Sequence, residues 1–117
     1  MKRKTIRNHK DFYMPQNGLV VATDCFVIKA GPAKIPGDAR YGLVVSKRSF
    51  RFAVKRNRAK RLMRDWIAAN ENLMSQDLDY VFIVNNPVLE CDRETGRQKI
   101  EKALIKISKI YTKNATK

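Results

Sequence analysis

Apolar runs alternate with polar and basic segments along the chain, and their spacing first predicts four β-strands. Residues 18–21 and 24–30 are rich in the β-branched and aromatic side chains that strands favour. The two glycines and two prolines of residues 31–38 predict a loop after them. A third strand is expected at residues 40–46 and a fourth at residues 79–84. The fourth is apolar on both faces, which is typical of a central strand.

Three other segments favour helices. Residues 7–13 predict a short helix that ends before Pro15, because the residue preceding a proline avoids the α conformation. Residues 53–73 have helical periodicity, with one apolar stripe formed by Ala59, Leu62, Met63, Trp66 and Ile67. A capping box from Thr95 to Gln98 is expected to open the last helix, whose apolar face holds Ile100, Ala103, Leu104, Ile107 and Tyr111. The predicted order αβββαβα forms a two-layer α+β sandwich on one four-stranded mixed sheet.

Length and composition narrow the class of protein. The chain has 117 residues and a formal net charge of +14. This length fits a single domain over residues 1–117, with short basic tails at both ends. The chain has no apolar run of about 20 residues for a membrane helix, and its basic N-terminus lacks the apolar stretch of a secretory signal. Because Cys25 and Cys91 fit neither a disulfide framework nor a Cys-x-x-Cys motif, we expect reduced thiols in a cytoplasmic protein.

The positive charge is concentrated in one block. Residues 47–64 hold nine basic residues and no acidic one, whereas residues 65–94 hold seven acidic residues and one basic residue. Like charges repel unless a partner neutralises them, so the block favours a polyanionic partner such as RNA. The alternatives are a solvated surface and a basic helix paired with acidic residues elsewhere in the domain.

Helical geometry places several residues of the basic block on one side of the predicted helix. At about 100° per residue, a row of polar side chains lies opposite the apolar stripe, and it is formed by Asn57, Arg58, Arg61 and Arg64. Lys60 lies at the edge of this row, and Lys55 and Arg56 are expected in the turn that enters the helix. Cations are unfavourable at a helix N-terminus, so Arg56 and Arg58 favour an anion bound there.

These residues carry a resemblance to a known family. The segment KRNRAKRLMR, residues 55–64, resembles the signature helix of the bacterial ribonuclease P protein subunit, whose pattern is R-N-R-x-K-R-x-x-R. The upstream segment RYGLVVSKR, residues 40–48, is similar to the third strand of the family, and DYVFIV, residues 79–84, to its fourth. The resemblance implies a fold like that of a ribosomal-protein domain. In the family the crossover between the third and fourth strands is left-handed, a hand that the sequence itself does not decide.

The resemblance also implies roles for individual residues. Contact with the catalytic RNA subunit would involve Lys55, Arg56, Asn57, Arg58, Lys60, Arg61 and Arg64. A cleft for the single-stranded 5′ leader of precursor tRNA would be lined by Phe12, Val27, Val44, Ser46, Arg48 and Tyr111. The two aromatic side chains would stack on bases and Arg48 would neutralise phosphate, although core packing is the alternative for both aromatics. Gln16 and Lys29 stand where the family often has aromatic residues, which favours a more electrostatic cleft.

Catalysis is expected to lie outside this chain. The sequence has one histidine and no evident carboxylate cluster, although Asp77 and Asp79 form a weak candidate pair for a metal. The resemblance implies a subunit of an endoribonuclease whose RNA partner is catalytic and binds the Mg²⁺ ions. The implied partners are that RNA and precursor tRNA, with no membrane and no obligate protein partner. A ribosomal protein, a metal-dependent nuclease acting alone and a membrane-surface binder are the alternatives.

Overall fold

The computed structural model describes residues 4–6, 18–33 and 39–115. Its strands are β1 (Lys4–Thr5), β2 (Leu19–Ala22), β3 (Phe26–Pro32), β4 (Arg40–Val44) and β5 (Leu78–Val84), and its helices are α1 (Ala53–Ala69) and α2 (Arg93–Ala115). Short 3₁₀ helices cover Glu71–Leu73 and Asn86–Glu90. The helix expected at residues 7–13 lies outside the described residues.

The strands form one mixed sheet in the order β1-β4-β5-β3-β2. Strand β4 is parallel to both β1 and β5, whereas β3 is antiparallel to β5 and to β2. The four predicted strands and the central position of the last one are therefore confirmed. The two-residue strand β1 was not predicted, because two residues are too few to have a detectable period.

The boundaries of the four predicted strands differ from the observed ones by at most two residues. Strand β3 extends to Pro32, so the beginning of the expected loop belongs to the sheet. Strand β4 ends at Val44 instead of Ser46, because the Ser46 side chain takes part in the turn that follows. The parallel strands β4 and β5 are joined through α1, and the hand of this crossover stays a prediction.

The hydrophobic core lies between one face of the sheet and the two helices. On that face Tyr80 and Phe82 stack with ring centroids 6.3 Å apart, and Tyr41 meets Phe82 edge to face at 6.4 Å. The helices bury the predicted stripes against it, namely Ala59, Met63, Trp66 and Ile67 from α1 and Ile100, Ala103, Leu104 and Ile107 from α2. Leu62 and Tyr111 pack against the core while partly exposed.

Helix α1 meets α2 through a close approach at Gly96. A Cβ atom at Gly96 would stand 2.2 Å from Cζ2 of the buried Trp66 ring, much closer than any real contact. Asn70, which ends α1, joins the same helices, because its Nδ2 donates to the carbonyls of Trp66 at 3.0 Å and Arg97 at 3.2 Å. Helix α1 thus stops at Ala69, and the predicted extension to Leu73 is a 3₁₀ turn.

The start of α2 corrects the predicted capping box. The helix begins at Arg93, and Oδ1 of Asp92 accepts the backbone N–H of Thr95 at 2.7 Å. This bond holds the pKa of Asp92 below its usual range. Asp and Thr are both good caps, so the sequence alone did not distinguish between the two positions. Across the described ranges, neither helix is long and apolar enough to span a membrane.

Candidate nucleic-acid interface

Helix α1 presents the predicted basic row to solvent. Its buried stripe faces the core, and the opposite side exposes Asn57, Arg58, Arg61 and Arg64. Lys60 is half-buried at the edge of this side. The orientation of these side chains is therefore confirmed, and their contact with RNA stays a prediction.

The first turn of α1 contains Lys55 and Arg56. The helix begins at Ala53, as predicted, so both residues belong to the turn that enters it. Nη1 of Arg56 donates to the carbonyls of Phe50 at 2.9 Å and Arg51 at 3.4 Å. Arg56 therefore stabilises the segment that precedes the helix through these hydrogen bonds, a role that helical angles alone do not reveal.

The N-terminus of α1 is strongly electropositive. Phe52 occupies the cap position without a side-chain hydrogen bond, and no acidic residue lies in the first turn. Lys55 adds a further positive charge there, with its Nζ 5.7 Å from the centroid of the Phe52 ring. The partial positive charge of the helix end thus adds to the charge of the side chains.

An open cavity of about 540 Å³ lies beside the basic row. Arg58 and Arg61 line it from α1 and Arg93 from the first turn of α2, together with Leu62, Asp65, Cys91 and Asp92. Arg93 was not predicted as a site residue, because it lies in the acidic stretch of the chain. The fold places it at the same cavity as Arg58 and Arg61, and the two aspartates line that cavity as well.

The turn after β4 is held in one shape by its serines. The Ser49 backbone N–H donates to Ser46 Oγ at 3.2 Å, and the Phe50 backbone N–H donates to the Ser46 carbonyl at 3.0 Å. Nδ2 of Asn86 donates to the Ser49 carbonyl at 2.8 Å. Ser46 therefore shapes the turn, and the turn exposes Arg48.

The sheet face opposite the core brings two of the predicted cleft residues into one row. Val27 of β3 and Val44 of β4 are both register partners of Ile83 on β5. Register partners have their side chains on the same face, and all three are half-buried. Lys29 lies two residues from Val27, on the same face. Ile83 was not predicted as part of this row, because its link to the other two residues depends on strand pairing.

The remaining cleft residues have less support from the structure. Tyr111 is half-buried and packs against the core, which agrees with the core-packing alternative. Phe12 and Gln16 lie outside the described residues. The cleft as a whole stays a prediction.

Asp77 and Asp79, the candidate metal pair, have different surroundings. Asp79 is buried, its Oδ1 accepts the Arg40 backbone N–H at 2.7 Å, and its Oδ2 lies 3.6 Å from Nη2 of Arg40. Asp77 is exposed at the strand entrance. Within residues 4–6, 18–33 and 39–115, no three His, Cys, Asp or Glu residues are grouped closely enough to hold a metal ion.

Comparison with known proteins identifies the family. The sequence model of the Ribonuclease P family matches residues 1–108. The chain belongs to the ribonuclease P protein family. The ribonuclease P protein component of Lactobacillus delbrueckii subsp. bulgaricus is 34% identical over 104 residues, which cover 88% of this chain and 86% of that protein.

Solved structures of ribonuclease P proteins have the same fold. A Staphylococcus aureus ribonuclease P protein, described as a mutant with defective mRNA degradation activity, matches with a TM-score of 0.74 and 26% identity over 90% of this chain and 87% of that one. The ribonuclease P protein of Thermotoga maritima matches with a TM-score of 0.73 and 25% identity over 89% and 97% of the two chains. The α+β arrangement of a mixed sheet with two helices is therefore shared with the family.

The exposed Phe52 is a further residue that the sequence analysis did not single out. Its side chain is 61% exposed, and Val54 beside it is 80% exposed. An aromatic residue directly before the basic helix was the available signal. The Phe52 ring thus lies exposed beside the Lys55 ammonium group.

Proposed function

We propose that this protein is the protein subunit of ribonuclease P. It binds the catalytic RNA and the 5′ leader of precursor tRNA, and so assists Mg²⁺-dependent endonucleolytic removal of the leader. The observation that carries the proposal is the exposed basic face of α1, in a chain that belongs to the ribonuclease P protein family.

The RNA subunit contacts the basic side of α1. Arg58, Arg61 and Arg64 follow one another at three-residue intervals and are all exposed, so their Cα atoms are spaced about 4.5 Å apart along the helix axis. Guanidinium forks bind phosphate oxygens through paired hydrogen bonds. Lys55 and Asn57 are exposed on the same turns of α1. Arg56 hydrogen-bonds the segment that precedes the helix, and Lys60 lies at the edge of the basic row.

The N-terminus of α1 favours the same partner. Each cation in the first turn opposes the helix dipole by about 0.3–1 kcal/mol, and no acidic side chain lies in that turn to offset the cost. A phosphate bound there would interact favourably with the helix end and with Lys55. The arrangement is therefore more stable with RNA bound.

The 5′ leader lies along the sheet face opposite the core. Its half-buried row of Val27, Ile83 and Val44 offers apolar contact to bases, and Lys29 and Arg48 offer charge to the backbone. Apolar and cationic groups bind single strands with little sequence preference. Such binding suits leaders that differ among tRNAs, and Phe12 and Tyr111 belong to the same proposed cleft.

Catalysis is assigned to the RNA subunit, which also binds most of the Mg²⁺. The residues that the structure describes do not fit a protein-bound Mg²⁺ site, because no three of their His, Cys, Asp or Glu side chains are grouped closely enough to hold an ion. Mg²⁺ supplies stabilisation of the charge that develops on the reacting phosphate. The basic surface of the protein lowers the repulsion between two RNAs. We place this assembly in the cytoplasm, without a membrane or an obligate protein partner.

Reconstitution tests the proposal. Protein purified free of RNA should not cleave precursor tRNA, and addition of the cognate RNA subunit should restore 5′ cleavage at low Mg²⁺, where the RNA alone is slow. A matched reaction with mature tRNA controls for non-specific cleavage. Metal-dependent cleavage by the RNA-free protein would contradict the assignment of catalysis to the RNA. No stimulation of the RNA subunit would contradict the proposed function itself.

A further inference from the structure

Two cysteines that are far apart in the sequence meet in the fold. The Sγ atoms of Cys25 and Cys91 lie 2.9 Å apart although 66 residues separate them, and both thiols are free. Cys25 lies in the turn between β2 and β3, and Cys91 precedes α2. The turn is held by Thr23, whose Oγ1 accepts the Cys25 backbone N–H at 3.2 Å, and the Cys25 carbonyl accepts the Asn85 backbone N–H at 2.8 Å.

A lysine lies directly beside both sulfur atoms. Nζ of Lys99 on α2 is 3.4 Å from Cys25 Sγ and 3.8 Å from Cys91 Sγ. Asp24 holds this ammonium group in place through an Oδ1 atom at 2.8 Å. A neighbouring positive charge favours the thiolate, which is the reactive form of cysteine.

The two thiols differ in access to solvent. Cys25 is 1% exposed, and burial raises the pKa of its thiol to about 12. Cys91 is half-buried and lines the cavity beside Arg58 and Arg61. A small oxidant that enters the cavity therefore reaches Cys91 first and finds Cys25 directly behind it.

We propose that Cys91 and Cys25 are a modification site at which a hydroperoxide produces a reversible intrachain disulfide, with Cys91 as the attacking thiol and Cys25 as the resolving thiol. The Cys91 thiolate attacks one oxygen of hydrogen peroxide, so that an S–O bond forms, the O–O bond breaks and the departing hydroxide takes up a proton. Cys25 then attacks the Cys91 sulfur, the S–S bond forms, and the S–O oxygen leaves as water with the Cys25 proton. The two thiols lose two electrons in total, and the peroxide becomes two molecules of water.

The bond would close a long loop that contains β3, β4, α1 and β5. Cross-linking residues this far apart stabilises a folded chain mainly by restricting the unfolded state. The sulfur atoms are already in contact, so the oxidised protein keeps the same fold. Under the proposed function, RNA that covers Arg58 and Arg61 would also shield Cys91, because these three residues line one cavity.

Oxidation of the purified protein tests the site without RNA. Reduced protein treated with hydrogen peroxide should lose both free thiols, and peptide mapping without reductant should show one Cys25–Cys91 link that a thiol reductant removes. The Tm should rise by roughly 15–20 °C, given the loop length and the size of the domain. Sulfinic acid at Cys91 beside a free Cys25, or disulfide-linked dimers, would overturn the proposal.

Two matched lysine variants test the mechanism. Lys99→Gln should slow disulfide formation several-fold, whereas Lys102→Gln, an exposed lysine on the same helix, should leave the rate unchanged. Equal rates in both variants would contradict the role of the ammonium group.

Cysteine variants test the link itself. Cys25→Ala should leave a sulfenic acid at Cys91 that a dione probe traps, with no rise in Tm. If burial of Cys25 prevents that variant from folding, Cys91→Ser gives the same comparison, because it too should show no rise in Tm on oxidation. A rise in either variant would overturn the proposal. These assays contain no RNA, so their failure leaves the proposed function standing, and failure of reconstitution leaves the disulfide standing.

Discussion

Replacement of Arg58 and Arg61 by alanine is the most direct test of the basic face of α1. Both side chains are exposed and lie away from the buried stripe of the helix. Alanine is a good helix former, and surface substitutions of this kind change stability by about 0.5 kcal/mol or less. The double variant should therefore fold normally, with an unchanged Tm.

The expected change in the salt dependence of RNA binding follows from counterion release. Each phosphate contact that is lost should flatten the slope of log K against log salt by roughly 0.7–0.9, or roughly 1.4–1.8 for the two residues together. The loss of affinity should be greatest at low salt, where each contact contributes most. Because Arg93 and Arg64 remain in place, binding should weaken without disappearing.

The assay is titration of the catalytic RNA at several salt concentrations with wild-type and variant protein. Lys102→Ala combined with Lys106→Ala is the matched control, since it removes the same charge from exposed positions on α2. The control should lower affinity only slightly and leave the slope nearly unchanged. If the two double variants have the same slope and affinity, net charge alone drives binding, and the assignment of α1 as the contact surface is wrong.

Three further variants address other parts of the molecule. Arg48→Ala should weaken binding of precursor tRNA but not of mature tRNA, and equal weakening of both would remove Arg48 from the leader cleft. Phe52→Ala should lower affinity for RNA about tenfold, since one stacked base contributes about 1–3 kcal/mol, while Phe52→Trp should retain it. Gly96→Ala should lower the Tm measured by thermal unfolding, because overpacking against Trp66 costs about 1–3 kcal/mol and outweighs the roughly 1 kcal/mol gain in helix propensity. A higher Tm would mean that the Trp66 ring moves aside at little cost.

The sequence by itself determined the elements that have a strong period. The buried stripe of α1 and its exposed arginines follow from spacing along a single helix, and the central position of β5 follows from its apolar residues on both faces. The signature of the basic helix also indicated the family. Each of these features depends on residues a few positions apart, where backbone geometry dictates which side chains share a face.

The tertiary structure decided what depends on pairing between distant segments. The row of Val27, Ile83 and Val44 exists because three strands pair in one register. Arg93 joins the arginines of α1 only because α2 begins beside that helix, and the contact between Cys25 and Cys91 requires the β2–β3 turn to meet the start of α2. A local pattern contains no information about such approaches, because the free energy that favours them comes from packing of the whole core.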